Sequence, residues 1–155
     1  MIKSPIKIIR QKAYWWSFVF LFLVILDQVA KHFAANIFEN FNFAFSLPLP
    51  PWLIYLVYLL VIGAIIYHLV THRQTFSKLA SVGWVLILSG AASNVIERII
   101  LGYVRDFIYI SLFGWTGIYN LADGYIILGI IILFIENSFL SGGILKTGKE
   151  SGSKN

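Results

Sequence analysis

The sequence predicts an all-α membrane protein of four transmembrane helices, and three observations carry that prediction. Of its 155 residues, 59% are hydrophobic and only 12% are charged, against about 25% charged in an ordinary soluble domain. Four long apolar runs are separated by polar, glycine-bearing or proline-bearing stretches. Nine of the twelve Lys and Arg residues fall on segments that four spans would place on one side of a membrane. The length suits a single domain. The net charge of +5 is not gathered into a basic patch interleaved with aromatics, so nucleic acid is not an expected partner. With no cysteine in the chain, disulfides, a thiolate nucleophile and Cys-ligated metals are excluded.

Residues 1–12 form a basic N-tail, with Lys3, Lys7, Arg10 and Lys12 and no acid. The apolar run that follows opens on Trp15-Trp16, an interfacial anchor, and ends in Asp27-Gln28-Val29-Ala30-Lys31 with no small-x-small cleavage site. An uncleaved first span over 13–31 therefore fits better than a secretory signal. Residues 32–51 mix Asn36, Glu39, Asn40 and Asn42 with aromatics and close on Pro48-Leu49-Pro50-Pro51, which forbids a continuous helix. Trp52 to Val70 is free of Asp, Glu, Lys and Arg, and at 1.5 Å per residue it reaches about 28 Å, close to the roughly 30 Å of a hydrocarbon core. That is the second span, 52–70.

A polar turn with His72, Arg73 and Lys78 leads into the third span, 79–98, whose Ser81, Gly83, Ser89, Gly90, Ala91, Ala92 and Ser93 suit close helix contact in a bilayer. Residues 99–117 read as short extended segments punctuated by Gly102, Gly114 and Gly117. The fourth span, 118–135, is interrupted only by Asn120 and Asp123, and completes a membrane domain over 13–137. Residues 138–155 are rich in Gly, Ser and Lys and are expected to be a disordered tail.

The N-tail, the 71–78 turn and the C-tail hold the nine Lys and Arg, whereas the opposite side holds only Lys31, Arg98 and Arg105. Excess Lys and Arg marks the cytoplasmic side, so both termini are expected there. Asp27, then Asn94, Glu97 and Arg98, and finally Asn120 and Asp123 are thereby brought to one depth at the external face. Ionisable groups beside membrane-grade apolar sequence are costly and mark function by default.

Asn94, Glu97 and Arg98 share one helical face, where Glu97 and Arg98 can pair or bond other groups, as a helix-end network or as positioning groups for carboxylates. Asp106 falls in the outer loop, where an ordinary pairing with Arg105 or Arg98 is the alternative to chemistry. Asp123 lies about one turn inside the fourth span. A dipole-favoured helix start is its alternative, though that would not require such depth. If Asp106 and Asp123 meet, they cannot easily ionise together and one keeps a proton. An ionised and a protonated carboxyl suit peptide hydrolysis by water, the first removing a proton from the attacking water and the second stabilising the oxyanion and then assisting the leaving amine. Asp27 and Lys31, four apart, can pair across the outer boundary.

Other chemistries fit less well. No G-x-S-x-G elbow surrounds Ser89 or Ser93. His68 and His72 have zincin spacing, but Leu69 stands where the glutamate base is needed, so no metal is expected. A small transporter or proton-relay subunit could use the same acids, but a path through the inner half of the spans would find little beyond Ser81 and Tyr67.

The motifs Leu26-Asp27-Gln28-x-x-Lys31, Asn40-x-x-x-Ala44-Phe45-Ser46, Asn94-x-x-x-Arg98, Leu101-Gly102-x-Val104-x-Asp106-Phe107-Ile108 and Asn120-x-Ala122-Asp123 occur in that order. Together they resemble the bacterial lipoprotein signal peptidase family, signal peptidase II, over roughly residues 23–130. The resemblance implies an aspartic endopeptidase of the bacterial cytoplasmic (inner) membrane that cuts diacylglyceryl-prolipoproteins just before the lipidated cysteine. Asp106 and Asp123 would be the catalytic dyad at the outer face. Asn94, Arg98 and Asn120 would orient the dyad or substrate, with Asn40 lining the site and Asp27 and Glu97 in support. It further implies a small extracytoplasmic β-cradle and loop over residues 38–50 and 104–116. No cofactor is expected, the partners would be lipid-modified precursors and membrane lipids, and the enzyme is expected to be a monomer. Three positions depart from the family pattern: Glu97 in place of Asp, Asn42 in place of Gly, and Ser93 in place of Gly. Glu97 keeps the charge but reaches one methylene further, and Asn42 tolerates left-handed backbone better than most residues.

Overall fold

A computed structural model describes residues 5–42, 47–72, 77–112 and 114–151. Residues 44–46 of the second motif, Arg73, and the side chains of His68 and His72 lie outside what it describes.

The first helix, α1, runs Pro5–Phe33. It takes in the basic segment from Pro5 onward, which was expected to be a tail. Proline is tolerated in a first helical turn, and nothing in Ile6 to Lys12 breaks a helix. After the short strand β1 (Phe38–Asn40), α2 spans Pro51–His72. The Pro50 carbonyl receives both Leu53 N (3.0 Å) and Ile54 N (3.2 Å), so the prolines that end the preceding loop also set where α2 begins.

The third helix, α3, spans Lys78–Leu101 between two caps. The Ser77 hydroxyl accepts Ala80 N at 3.0 Å. At the other end Gly102, at φ 84°, donates its N–H to Arg98 O, the left-handed conformation that favours glycine. Three strands follow: β2 (Val104–Asp106), β3 (Ile108–Leu112) and β4 (Trp115–Tyr119). β2 pairs antiparallel with β1, placing Phe38 opposite Asp106, and β3 pairs antiparallel with β4.

The last helix, α4, covers Leu121–Ser151. Its start differs from residue 118 because Ile118 and Tyr119 pair with Tyr109 and Ile108 in the hairpin, leaving Asn120 as the cap. Its end differs too: the helix continues past 135 through residues expected to be disordered. Leu140, Ile144, Leu145 and Lys146 are helix formers, and no proline intervenes to stop them.

Three helices carry a stretch long and apolar enough to cross a membrane: Tyr14–Phe33, Lys78–Leu101 and Leu121–Ser138. α2 carries a shorter apolar stretch, Pro51–Tyr67, among the described residues. α3 is the central helix, packed along α4 and α1 and touching α2. Its small residues make this possible. A Cβ on Gly90 would stand 2.3 Å from Ala122 O, and one on Gly129 would stand 2.6 Å from Gly83 O, so the α3 and α4 backbones nearly touch at two levels. The upper of these crossings seats the first turn of α4, and hence Asp123, against α3.

Candidate active site

At one end of the helical bundle, the apolar interior gives way to a buried polar cluster of Asp27, Lys31, Ser93, Asn94, Glu97, Arg98, Asp106 and Asn120. Asp106 reaches it from the last residue of β2 and Asp123 from the first turn of α4.

Asn120 joins the two acids. Its Nδ2 donates to Asp106 Oδ1 at 2.6 Å, its backbone N–H donates to Asp123 Oδ2 at 3.2 Å, and its Oδ1 accepts Asp123 N at 2.9 Å. The last two bonds form a reciprocal cap of the capping-box kind, with Asp123 at the third helical position. Asp123 is therefore a helix-start carboxylate as well, but that use occupies only one of its oxygens. Asn94 Nδ2 donates to the other, Asp123 Oδ1, at 2.9 Å. The second oxygen of Asp106 accepts Asn40 Nδ2 at 2.8 Å. Among the described residues neither Arg105 nor Arg98 pairs with Asp106, so the ordinary loop ion pair is not what forms.

Three asparagines thus present their NH2 groups to the two carboxylates, and each has its carbonyl oxygen held from behind. Asn40 Oδ1 accepts Asn42 N at 2.9 Å, Asn120 Oδ1 accepts Asp123 N, and Asn94 Oδ1 accepts Lys31 Nζ at 2.9 Å. A donor on the oxygen leaves only the amide hydrogens free for the carboxylates, which fixes the orientation of each side chain.

Asp106 is 1% exposed. Burial pushes its carboxyl up to about 6, against the pull of the Asn40 and Asn120 amides, with the Asp123 charge adding to the rise and Lys31 opposing it. An open cleft of about 320 Å³ lies over Asp106, bounded by Asn40, Phe41 and Asn42 on one side and by Tyr109, Thr116 and Ile118 on the other. Arg98 shapes its rim by donating Nη2 to Asn42 O at 2.5 Å. The Arg98 carbonyl accepts the Tyr55 hydroxyl at 2.7 Å.

Glu97 and Arg98 do not pair with each other. Glu97 instead binds Lys31 Nζ at 2.8 Å and takes both Nε (2.6 Å) and backbone N (3.1 Å) of Arg105, because its longer side chain reaches from α3 to β2. Asp27 does pair with Lys31, at 2.8 Å. Both are fully buried, not at a wet boundary. Asp27 also accepts Ala122 N at 3.0 Å and the Ser93 hydroxyl at 2.6 Å, so it satisfies a free N–H in the first turn of α4.

Three participants do more than their sequence suggests. Lys31, expected to pair with Asp27 across the outer boundary, is fully buried. Ser93, expected as a small packing residue, also accepts Gln28 Nε2 on its hydroxyl at 2.8 Å. Arg105, the alternative partner for Asp106, binds Glu97 instead. Ser81 and Ser89, in the N-terminal half of α3, return their hydroxyls to Ser77 O and Val85 O within their own helix region, which gives no support to a polar path.

The family model for signal peptidase II matches residues 19–139. The lipoprotein signal peptidase of Syntrophomonas wolfei is 34% identical over 141 residues, covering 79% of this chain and 90% of that protein. The lipoprotein signal peptidase of Streptococcus agalactiae is 36% identical over 116 residues, covering 71% and 73%. A bacterial membrane enzyme solved by the in meso method superposes with a TM-score of 0.68 over 90% of this chain and 93% of that one, at 23% identity, a likeness of fold.

Proposed function

The chain belongs to the signal peptidase II family, and we propose that it hydrolyses the signal peptides of diacylglyceryl-prolipoproteins with Asp106 and Asp123 as an aspartyl dyad. The observation that carries this reading is the sharing of Asn120: one residue hydrogen-bonds both carboxylates, from its side chain to Asp106 and from its backbone to Asp123.

The carboxyl of Asp106, raised to about 6, is mostly ionised at neutral pH and takes the role of base; Asp123 is assigned the proton-donor role as the other member of a pair that titrates together. Water held at Asp106 attacks the scissile carbonyl carbon while its proton passes to the Asp106 carboxylate. The Asp123 proton is donated to the developing oxyanion. As the tetrahedral species collapses, the proton on Asp106 moves to the departing nitrogen, the C–N bond breaks, and one hydroxyl of the species returns its proton to Asp123, leaving a carboxylic acid that ionises and the dyad as it began. The products are a signal peptide with a new carboxylate and a lipid-bearing cysteine with a free amino group.

The cleft over Asp106 receives the precursor, and Arg98, Asn40 and Asn42 set its rim. α2 serves as a fourth span beside α1, α3 and α4. The Lys and Arg asymmetry supports termini in the cytoplasm and β1–β4 with the dyad at the outer face of the bacterial cytoplasmic membrane. Phe18, Leu59 and Phe134 (59%, 69% and 72% accessible) are taken to face lipid, and the chain is proposed to act as a monomer.

The test is incubation of the purified chain with a synthetic precursor whose cysteine carries a diacylglyceryl group, beside the same peptide without lipid. Mass spectrometry should find one cut, on the amino side of the lipidated cysteine. Cleavage of neither peptide, or a cut elsewhere, would count against the reading.

A further inference from the structure

We propose that Lys31 is a positioning residue for the dyad: its ammonium holds the Asn94 amide with the NH2 turned to Asp123, while Glu97 holds that ammonium and the strand carrying Asp106. The inference rests on the dyad reading above.

Lys31 is 0% exposed, and an ammonium so buried needs every partner it can find. It has three: Asp27 Oδ2 at 2.8 Å, Glu97 Oε2 at 2.8 Å and Asn94 Oδ1 at 2.9 Å. Three contacts use all the hydrogens of the group. Because an ammonium can only donate, Asn94 must turn its oxygen toward Lys31. Its NH2 then has one direction left, toward Asp123 Oδ1.

The other two asparagines are held by backbone N–H groups, of Asn42 and of Asp123. Lys31 alone among the three pins is a side chain. It also connects the two halves of the site. Glu97 Oε2, which Lys31 contacts, accepts the backbone N–H of Arg105, the residue before Asp106. Asp27, its other carboxylate, accepts the N–H of Ala122, the residue before Asp123. The ammonium therefore ties the backbone next to each dyad member. Lys31 and Arg105 balance Asp27 and Glu97, so the assembly carries no net charge.

A purely structural lysine would neutralise Asp27 and Glu97 without acting through Asn94. Steady-state rates on the lipidated precursor in detergent micelles separate these roles, using Lys31→Met, Asn94→Ala and the double variant. Acting through Asn94, Lys31→Met lowers kcat about ten- to hundredfold with KM changed less than about threefold. The double variant is then slower than Asn94→Ala by no more than about threefold. Losses that multiply overturn the proposal. If Lys31→Met does not fold, the charge-balanced Lys31→Met/Glu97→Gln protein enters the same cycle, and failure of that protein to fold also overturns it in favour of the structural role. Turnover retained by Asp123→Asn would remove the dyad reading itself. A multiplicative cycle beside an inactive Asp123→Asn would remove only the role of Lys31.

Discussion

The side chain of Asn120 accepts the backbone N–H of Asp123 at 2.9 Å, and the Asp123 carboxylate accepts the backbone N–H of Asn120 at 3.2 Å. The amide hydrogens left over reach Asp106. One residue therefore starts α4 and spaces the two acids. Asn120→Ala removes the cap, at about 1 kcal/mol of stability, and strips a donor from buried Asp106. kcat should fall about ten- to hundredfold, the equivalent of 1–3 kcal/mol for an unsatisfied buried group. Thermal unfolding and initial rates on one preparation check both halves.

Helix contact sets the depth of Asp123. A methyl group on Gly90 would lie 2.3 Å from Ala122 O, while one on Gly124 meets nothing within 4 Å. Gly90→Ala must push the first turn of α4 away from α3, at a cost of about 1–3 kcal/mol, with a loss of activity that Gly124→Ala does not share. The comparison of melting temperature and kcat between these two glycines tests whether the close approach matters.

Asp106 gives the pH dependence its sign. With its carboxyl raised to about 6, the base is protonated below that pH, and kcat/KM should fall about tenfold per unit once the pH is below about 5. The stability effect runs the other way. A raised carboxyl binds its proton more tightly when folded, so its contribution is fully present below the ordinary value of 3.8 and is lost as pH rises through about 6. A rate profile flat from pH 5 to 7 would be inconsistent with an ionised Asp106 as base.

The Ser93 hydroxyl links Asp27 to Gln28. Ser93→Ala removes a hydrogen bond to a buried carboxylate, worth about 1.5–3 kcal/mol. Asp27 keeps Lys31 and Ala122 N, so kcat should change far less than it does for Asn120→Ala. Unfolding and turnover measured together would reveal whether the serine serves stability alone.

Asp106 and Asp123 could be singled out in the sequence because they stand against apolar neighbours where ionisable groups are costly, and the structure brings both onto Asn120. The close contacts of α3 were likewise visible in Gly83, Gly90 and their small neighbours. What could not be read was pairing across elements. Helical spacing puts Glu97 beside Arg98, but the geometry of β2, unknown from periodicity, gives Glu97 a better partner in Arg105. Lys31 looks like a boundary residue in one dimension and is enclosed only once α3 packs on α1. The ends of α1 and α4 moved for a related reason: charge and glycine content predict solvation, and neither breaks a helix as proline does.

The most direct measurement of the central claim is turnover of a lipidated precursor by Asp106→Asn and Asp123→Asn proteins that unfold as cooperatively as the parent. With Asp106 as base and Asp123 as proton donor, each variant should lose cleavage below detection at saturating substrate. Near-normal turnover in either would contradict the dyad.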